Sequence, residues 1–365
     1  MVPTDRKNLF GSVQFGRQVL PNRIVMSSMS RDRSPQGVPT ELNAEYYAQR
    51  ASAGLIITES TAVSARGVGW PNTPGIFTKE QVTGWRKVTD AVHRRGGRVF
   101  SQLWHCGRNS HPLNQPNGAL PVGPSAIISE ATVRTSQGRM SLLIPHELTT
   151  NEIAGVVEEY RSAARAALES GFDGVQVHAG NGFLLDQFLR DSANQRRDGY
   201  GGTVQNRCRL LLEVVEAVCQ VWGQDRVGVR MSPTNPTNYR LSDSDPELLL
   251  RTALASLSEL KICYVDIVEG STTSGPATHA VDYASSRRCF SGLYVANNGL
   301  RTREQAEAAL DSHADLVSFG RPFIANPDLP RRLQTGAAQS PLNEAFVYSP
   351  DHRGYTDYPF LADDA

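Results

Sequence analysis

Residues 149–178 read TTNEIAGVVEEYRSAARAALESGFDGVQVH. Ile153, Val156, Val157, Tyr160, Ala164, Ala167 and Leu168 recur at i, i+3, i+4, i+7 spacing, the pattern of a helix with one apolar stripe. Thr149 with Glu152 three residues on forms a capping box, and Gly171 tolerates the left-handed conformation that ends a helix. Val175-Gln176-Val177-His178 follows at once, short and apolar enough for a buried strand. A capped helix whose stripe must face a sheet, feeding directly into a strand, is the repeating half of an α/β fold.

Seven more short apolar runs lie to either side: Arg23–Met26, Leu55–Thr58, Arg98–Ser101, Val227–Arg230, Tyr264–Val268, Leu293–Ala296 and Leu316–Phe319. Helical patterns separate most of them, the clearest running from Gln205 to Trp222 with Leu211, Val214, Val215 and Val218 on one side. Asp245-Pro246 and Asn326-Pro327 read as N-caps followed by a first-turn proline. Eight strands alternating with helices predict a (β/α)8 TIM barrel, with an open doubly wound sheet as the less favoured alternative. The stretch His105–His146 is too long for a βα loop and predicts an inserted excursion after the third strand. Its hairpin would turn near Gln137-Gly138, with a second strand at Arg139–Ile144. Gly270–Arg288 has weak periodicity, so its helix should be short or missing. Nothing resembles a linker or repeat, and residues 1–365 are expected to form a single domain.

Lys+Arg 37 against Asp+Glu 37 leaves a formal net charge of +0, which argues against nucleic acid or an anionic membrane as partner. No run reaches the ~18 apolar residues of a membrane span, and the first ten residues lack a secretory apolar core; a cytoplasmic protein is expected. Five scattered cysteines without a CxxC pair suggest neither a disulfide framework nor a metal site.

Barrel chemistry gathers where strands end. Those positions carry Ser27, Ser28, Met29, Ser30 and Arg31; Gln102, Trp104 and His105; His178 and Asn181; Arg230 and Ser232; Asn297-Asn298-Gly299; and Gly320-Arg321. GxGxxG, P-loop, HExxH and GxSxG patterns are all missing, which disfavours a Rossmann-bound nicotinamide and a P-loop. Gly299 and Gly320 with Arg321 suggest a phosphate cup at the last two strands, although glycines there can also simply make turns. His178 and Asn181 are either core residues or two donors aimed at one ligand oxygen. Arg230 in an apolar strand needs an anionic partner, either a ligand or a core carboxylate such as Glu59 or Asp266.

The string Val177-His178-Ala179-Gly180-Asn181-Gly182-Phe183-Leu184-Leu185-Asp186-Gln187-Phe188-Leu189, with Arg197-Asp198-Gly199-Tyr200-Gly201-Gly202 after it, closely resembles the Old Yellow Enzyme family of FMN-dependent ene-reductases. The likeness extends to Gln102–Arg108, Arg230–Pro233, Phe319–Leu329 and Gly354–Pro359, nearly the whole chain. The resemblance implies a TIM barrel holding FMN, with NADPH or NADH as reductant and a small α,β-unsaturated carbonyl compound as substrate, in a monomer or homodimer. It implies that Ser27, Ser28, Met29 and Ser60 line the flavin ring and that Ser30, where relatives carry Thr or Cys, bonds its edge. Gln102 would hold the pyrimidine side and Arg230 the N1/O2 region, while Asn298, Gly299, Gly320 and Arg321 would take the phosphate side. Trp104, Thr237 and Tyr348 would line the substrate cavity. The catalytic set would be His178, Asn181 and Phe183: the first two bind the carbonyl oxygen as hydride arrives from flavin N5 at the β-carbon, an oxyanion-hole role.

At position 183 relatives carry a Tyr that protonates the α-carbon, and this chain carries Phe. A phenyl ring supplies no proton. Water, Tyr348 or Tyr239 could finish a reduction. Alternatively the enolate returns its hydride and the outcome is a redox-neutral isomerisation, an outcome associated with a Phe-bearing branch in fungal alkaloid pathways. An oxidative direction and a flavin-binding protein without turnover rank lower. The loop Thr234–Tyr239 holds one extra residue, with Thr237 in an aromatic slot, and Asn298 replaces a common Gly, so a reshaped pocket is expected.

Overall fold

The computed structural model describes residues 7–234, 239, 241–270 and 280–362. All eight apolar runs are strands: β1 (Ile24–Met26), β2 (Leu55–Ala62), β3 (Val99–Trp104), β4 (Gly174–Ala179), β5 (Val227–Met231), β6 (Tyr264–Val268), β7 (Leu293–Asn297) and β8 (Leu316–Phe319). Each pairs in parallel with the next and β8 closes on β1, giving a (β/α)8 barrel. The helices that follow the strands are α1 (Glu41–Gln49), α2 (Lys79–His93), α3 (Thr150–Glu169), α4 (Val204–Trp222), α5 (Pro246–Glu259), α6 (Tyr283–Arg287), α7 (Arg303–Ser312) and α8 (Leu329–Thr335).

The ends of α3 are as the sequence specifies. Thr149 accepts from Glu152 N–H, Glu152 reaches back to Thr149 N–H, and Gly171 sits at φ +83°. Ile153, Val156, Tyr160, Ala164 and Ala167 are buried in the layer between helices and barrel. Asp245 caps α5, its carboxylate accepting from Leu248 N–H. Asn326-Pro327 does not cap a helix. The Asn326 amide is instead used across a loop, donating to Pro322 O and accepting from Ser340 N–H, and α8 starts two residues later with Pro330 in its first turn. The helix behind the eighth strand is a short one, Arg321–Ala325, opening at Gly320.

The excursion after β3 contains the expected hairpin, Thr132–Thr135 against Gly138–Ser141, its second strand ending at Ser141 instead of Ile144. Strand β2 is longer than its apolar run because a register irregularity between Ile57 and Ser60 lets it bend and still pair Ser60 with Gln102. Helix α6 is short, and 271–279 lie outside the described residues. A two-stranded hairpin, Val13–Phe15 with Gln18–Leu20, closes the N-terminal end of the barrel: Phe15 packs on Phe100 and Tyr264 at ring-centroid distances of 5.8 and 5.0 Å. The opposite end, where strands finish, is left for polar groups.

Candidate active site

One connected polar layer fills the barrel at its C-terminal end. Gln102 on β3 and Gln176 on β4 are register partners, and the Gln102 amide donates to Gln176 Oε1 at 2.7 Å. Gln102 Oε1 accepts from Ser28 (2.7 Å) and Ser60 (3.0 Å). Gln176 in turn donates to Asp266 Oδ2 and to the Tyr264 hydroxyl, each at 3.2 Å. Asn297 donates to Asp266 Oδ1 (2.8 Å) and to Ser27 Oγ (3.1 Å), and Ser27 also accepts from Arg230 Nη1 at 2.9 Å. Arg230 lies 4.0 Å from Asp266, so of the two carboxylates considered from sequence Asp266 is its neighbour. Glu59 serves elsewhere, accepting from the Arg31 and Asp32 backbone N–H groups. Arg230 is not saturated: its Nε is buried without a partner, and so is the Ser318 hydroxyl on β8.

His178 sits across from Arg230 in register. Burial first, and the guanidinium beside it second, push its pKa well below the usual 6.5, so the imidazole is neutral. Its Nδ1 is buried and unpartnered. Three residues on, Asn181 occupies the left-handed region at φ +56°, which Asn tolerates better than most residues. That turn is held from several sides: Asn181 N–H donates to Ser232 Oγ (2.6 Å), and Gly182 N–H to Asp186, itself paired with Arg190 at 2.8 Å. Gly180 lets the turn approach Ser232 closely: a Cβ would meet the Ser232 backbone nitrogen and hydroxyl at a tight 3.0 Å. The result is two polar side chains fixed at the end of β4.

Phe183 is 8% exposed and packs edge-on against His178 (5.2 Å between centroids) and Trp104 (5.1 Å), with Tyr239 at 5.9 Å and Trp70 at 6.1 Å. Ala62 and Cys106 complete this apolar cluster. Trp104 is fully buried behind Phe183, whereas Tyr348 is 56% exposed and carries Arg134 over its ring at 4.8 Å. Thr237 lies outside the described residues. Sequence reasoning missed a second fixture on this side: Trp70 Nε1 donates to the buried Asp32 (2.8 Å), and Asp32 pairs with Arg134 from the inserted hairpin. Nothing in either segment alone signals that pair, which spans 102 positions.

Gly299 (φ +74°) and Gly320 close the arc. A Cβ at Gly299 would meet nothing within 4 Å, and one at Gly320 only ordinary contacts with Met29 from 3.5 Å and Ser27 at 3.9 Å. Asn298, at φ +94°, adopts a glycine-like backbone and donates to Glu269 O. Arg321 is exposed and paired with Glu344. Open space above glycine backbone, with an arginine alongside, suits a phosphate; the orphaned Arg230 Nε and Ser318 Oγ suit a ligand rich in acceptors. Among the described residues no group of three or more His, Cys, Asp or Glu is placed to hold a metal, and no helix is long and apolar enough to cross a membrane.

Residues 8–340 match the model of the NADH:flavin oxidoreductase / NADH oxidase family, whose cofactor is FMN. The chain belongs to the Old Yellow Enzyme family. It is 41% identical to 12-oxophytodienoate reductase 7 of Oryza sativa subsp. japonica over 97% of this chain and 94% of that protein. Against 12-oxophytodienoate reductase 2 of Arabidopsis thaliana it is 40% identical, over 95% of this chain and 94% of that one. Among solved structures, morphinone reductase superposes with a TM-score of 0.94 at 43% identity, covering 98% of this chain and 97% of that one. The old yellow enzyme homologue from Zymomonas mobilis gives 0.92 at 44% identity, over 97% and 99%. As an Old Yellow Enzyme family barrel the chain is an FMN-dependent oxidoreductase, and the polar layer with its orphaned Arg230 Nε and the open glycine cradle are the features of this sequence that fit the cofactor.

Proposed function

We propose that this protein reduces the activated C=C bond of an α,β-unsaturated carbonyl compound at the expense of NADPH or NADH. Ser27, Ser28, Met29, Ser30, Ser60, Gln102 and Arg230 would hold the flavin ring, and Asn298, Gly299, Gly320 and Arg321 its phosphate side. Bound there, FMN would supply the hydride chemistry between nicotinamide and substrate. The chain's own part is to fix the substrate oxygen. A neutral, buried His178 donates one hydrogen bond and the half-buried Asn181 another, so charge building on that oxygen meets two donor dipoles. A neutral, buried His178 three residues before Asn181, in a turn held by Ser232 and Asp186, is the observation that carries the reading; the relatives' names, 12-oxophytodienoate reductase and morphinone reductase, agree with it. Trp104 backs the pocket through Phe183, and Tyr348 lies toward its outer side.

The proton for the α-carbon must come from water or from a hydroxyl other than residue 183. Tyr239, whose ring touches Phe183, is nearby, but burial pushes its pKa up, so it is a weak acid there. Because the surroundings of Phe183 are apolar, a second reading deserves a test: a slow protonation step allows hydride return and a redox-neutral isomerisation. A flavin-binding protein without turnover is the third. We place the protein in the cytoplasm, working as one domain in a monomer or homodimer.

Counting nicotinamide against product with a cyclic enone separates these. Reduction consumes one NAD(P)H per saturated product. Isomerisation changes the alkene with only a catalytic amount, and a flavin that NAD(P)H bleaches but no enone restores leaves binding alone.

A further inference from the structure

Within the polar layer one group has no role in the account so far. Asp266 is fully buried on β6, an ionisable residue among Tyr264, Val265, Ile267 and Val268. A lone carboxylate at such a place is unfavourable unless donors and a counter-charge compensate it. Both are present: Asn297 Nδ2 at 2.8 Å on one oxygen, Gln176 Nε2 at 3.2 Å on the other, and Arg230 Nη1 at 4.0 Å. The Arg230–Asp266 contact is an ion pair at the limit of range rather than a tight fork, and Nη1 donates to Ser27. Asp266 therefore offsets the guanidinium's charge without capturing its donors, and Nε stays free.

We propose that Asp266 is a positioning residue that acts through Arg230 to hold down the reduction potential of the bound flavin. This rests on the reading that Arg230 faces the flavin. An unopposed buried guanidinium favours the anionic reduced cofactor; a carboxylate on its far side cancels part of that field and leaves the reduced flavin a stronger donor toward an alkene. Burial raises the Asp266 pKa and the nearby Arg230 opposes that shift, so the carboxylate is stabilised by the very group whose field it offsets.

The test is an equilibrium dye titration of the holoenzyme. Asp266→Asn keeps the shape and removes the charge: the two-electron equilibrium constant for reduction rises about tenfold or more, about 30 mV. FMN affinity stays within roughly tenfold, reduction by NADPH speeds up and reoxidation by an enone slows. Tyr264→Phe, which removes the other acceptor of Gln176 in the same layer without a charge change, leaves the potential within about threefold in that constant. Equal shifts in the two variants, no shift in Asp266→Asn with FMN bound, or outright loss of FMN from a folded Asp266→Asn each overturn the proposal. Should the amide variant not fold, Asp266→Glu retains the charge, and a tenfold rise there refutes it while a near wild-type potential supports it. An Arg230→Lys variant with unchanged FMN affinity and potential sinks the underlying placement of Arg230 instead.

Discussion

Phe183→Tyr adds one oxygen at the position where the proposed function lacks a proton donor. The ring is already fixed by His178, Trp104, Tyr239 and Trp70 at 5.1–6.1 Å, so the new hydroxyl arrives on a side chain that cannot swing away. A positioned general acid contributes ~10²–10⁴ in rate, equivalent to about 3–5 kcal/mol of barrier. Against this stands the cost of placing a hydroxyl in a pocket that is 8% exposed and otherwise lined by Ala62, Cys106 and Trp104, about 1–3 kcal/mol if the group finds no partner. That cost falls on stability, whereas the gain falls on the protonation step. The assay is stopped-flow reoxidation of anaerobically reduced protein by a cyclic enone, with the product identified in the same mixture. Reoxidation should accelerate by at least tenfold and yield only saturated ketone, while the denaturation midpoint falls modestly. A folded, FMN-loaded variant whose reoxidation rate and product match wild type would show that protonation at residue 183 does not limit this enzyme.

Two further outcomes follow from the geometry. Gly320→Ala meets no protein atom closer than 3.5 Å, so its methyl fits the protein and takes up the open space of the cradle. The apoprotein should fold and bind FMN at least tenfold more weakly, read by fluorescence titration; an unchanged affinity would remove Gly320 from the phosphate cradle. Glu59 has its pKa raised from 4.5 to about 7 by burial. Between those values the native state keeps a proton that the unfolded chain has released, so stability falls as pH rises through the window, by about 3 kcal/mol in all. Denaturant midpoints at pH 5 and pH 7.5 should differ less in Glu59→Gln than in wild type, and equal slopes would show that Glu59 titrates normally.

Much of this architecture is legible in the chain because strand and helix periods differ so plainly: Val175-Gln176-Val177-His178 and the stripe of α3 can hardly be read otherwise. In that strand the apolar Val175 and Val177 join the core packing, while Gln176 and His178 join the polar layer. What could not be read is pairing across distance. Asp32 and Arg134 meet only because the inserted hairpin folds back over the barrel mouth, and Gln176 and Asn297 find Asp266 only through closure of the barrel. Asn326-Pro327 misleads for a local reason: Pro330 provides the same first-turn signal three residues later, and the Asn326 amide is spent on Ser340. The motif around His178 was informative because every glycine in it answers a steric or backbone demand, Gly180 against Ser232 and Gly182 at φ +83°.

The most direct test is the reoxidation of NADPH-reduced protein by 2-cyclohexenone without oxygen, in wild type and in Asn181→Ala. The account predicts that wild type returns to the oxidised flavin with one saturated ketone per flavin, and that loss of the Asn181 donor slows this by ~10²–10³. A flavin that stays reduced while the alkene shifts, or a rate indifferent to Asn181, would contradict it.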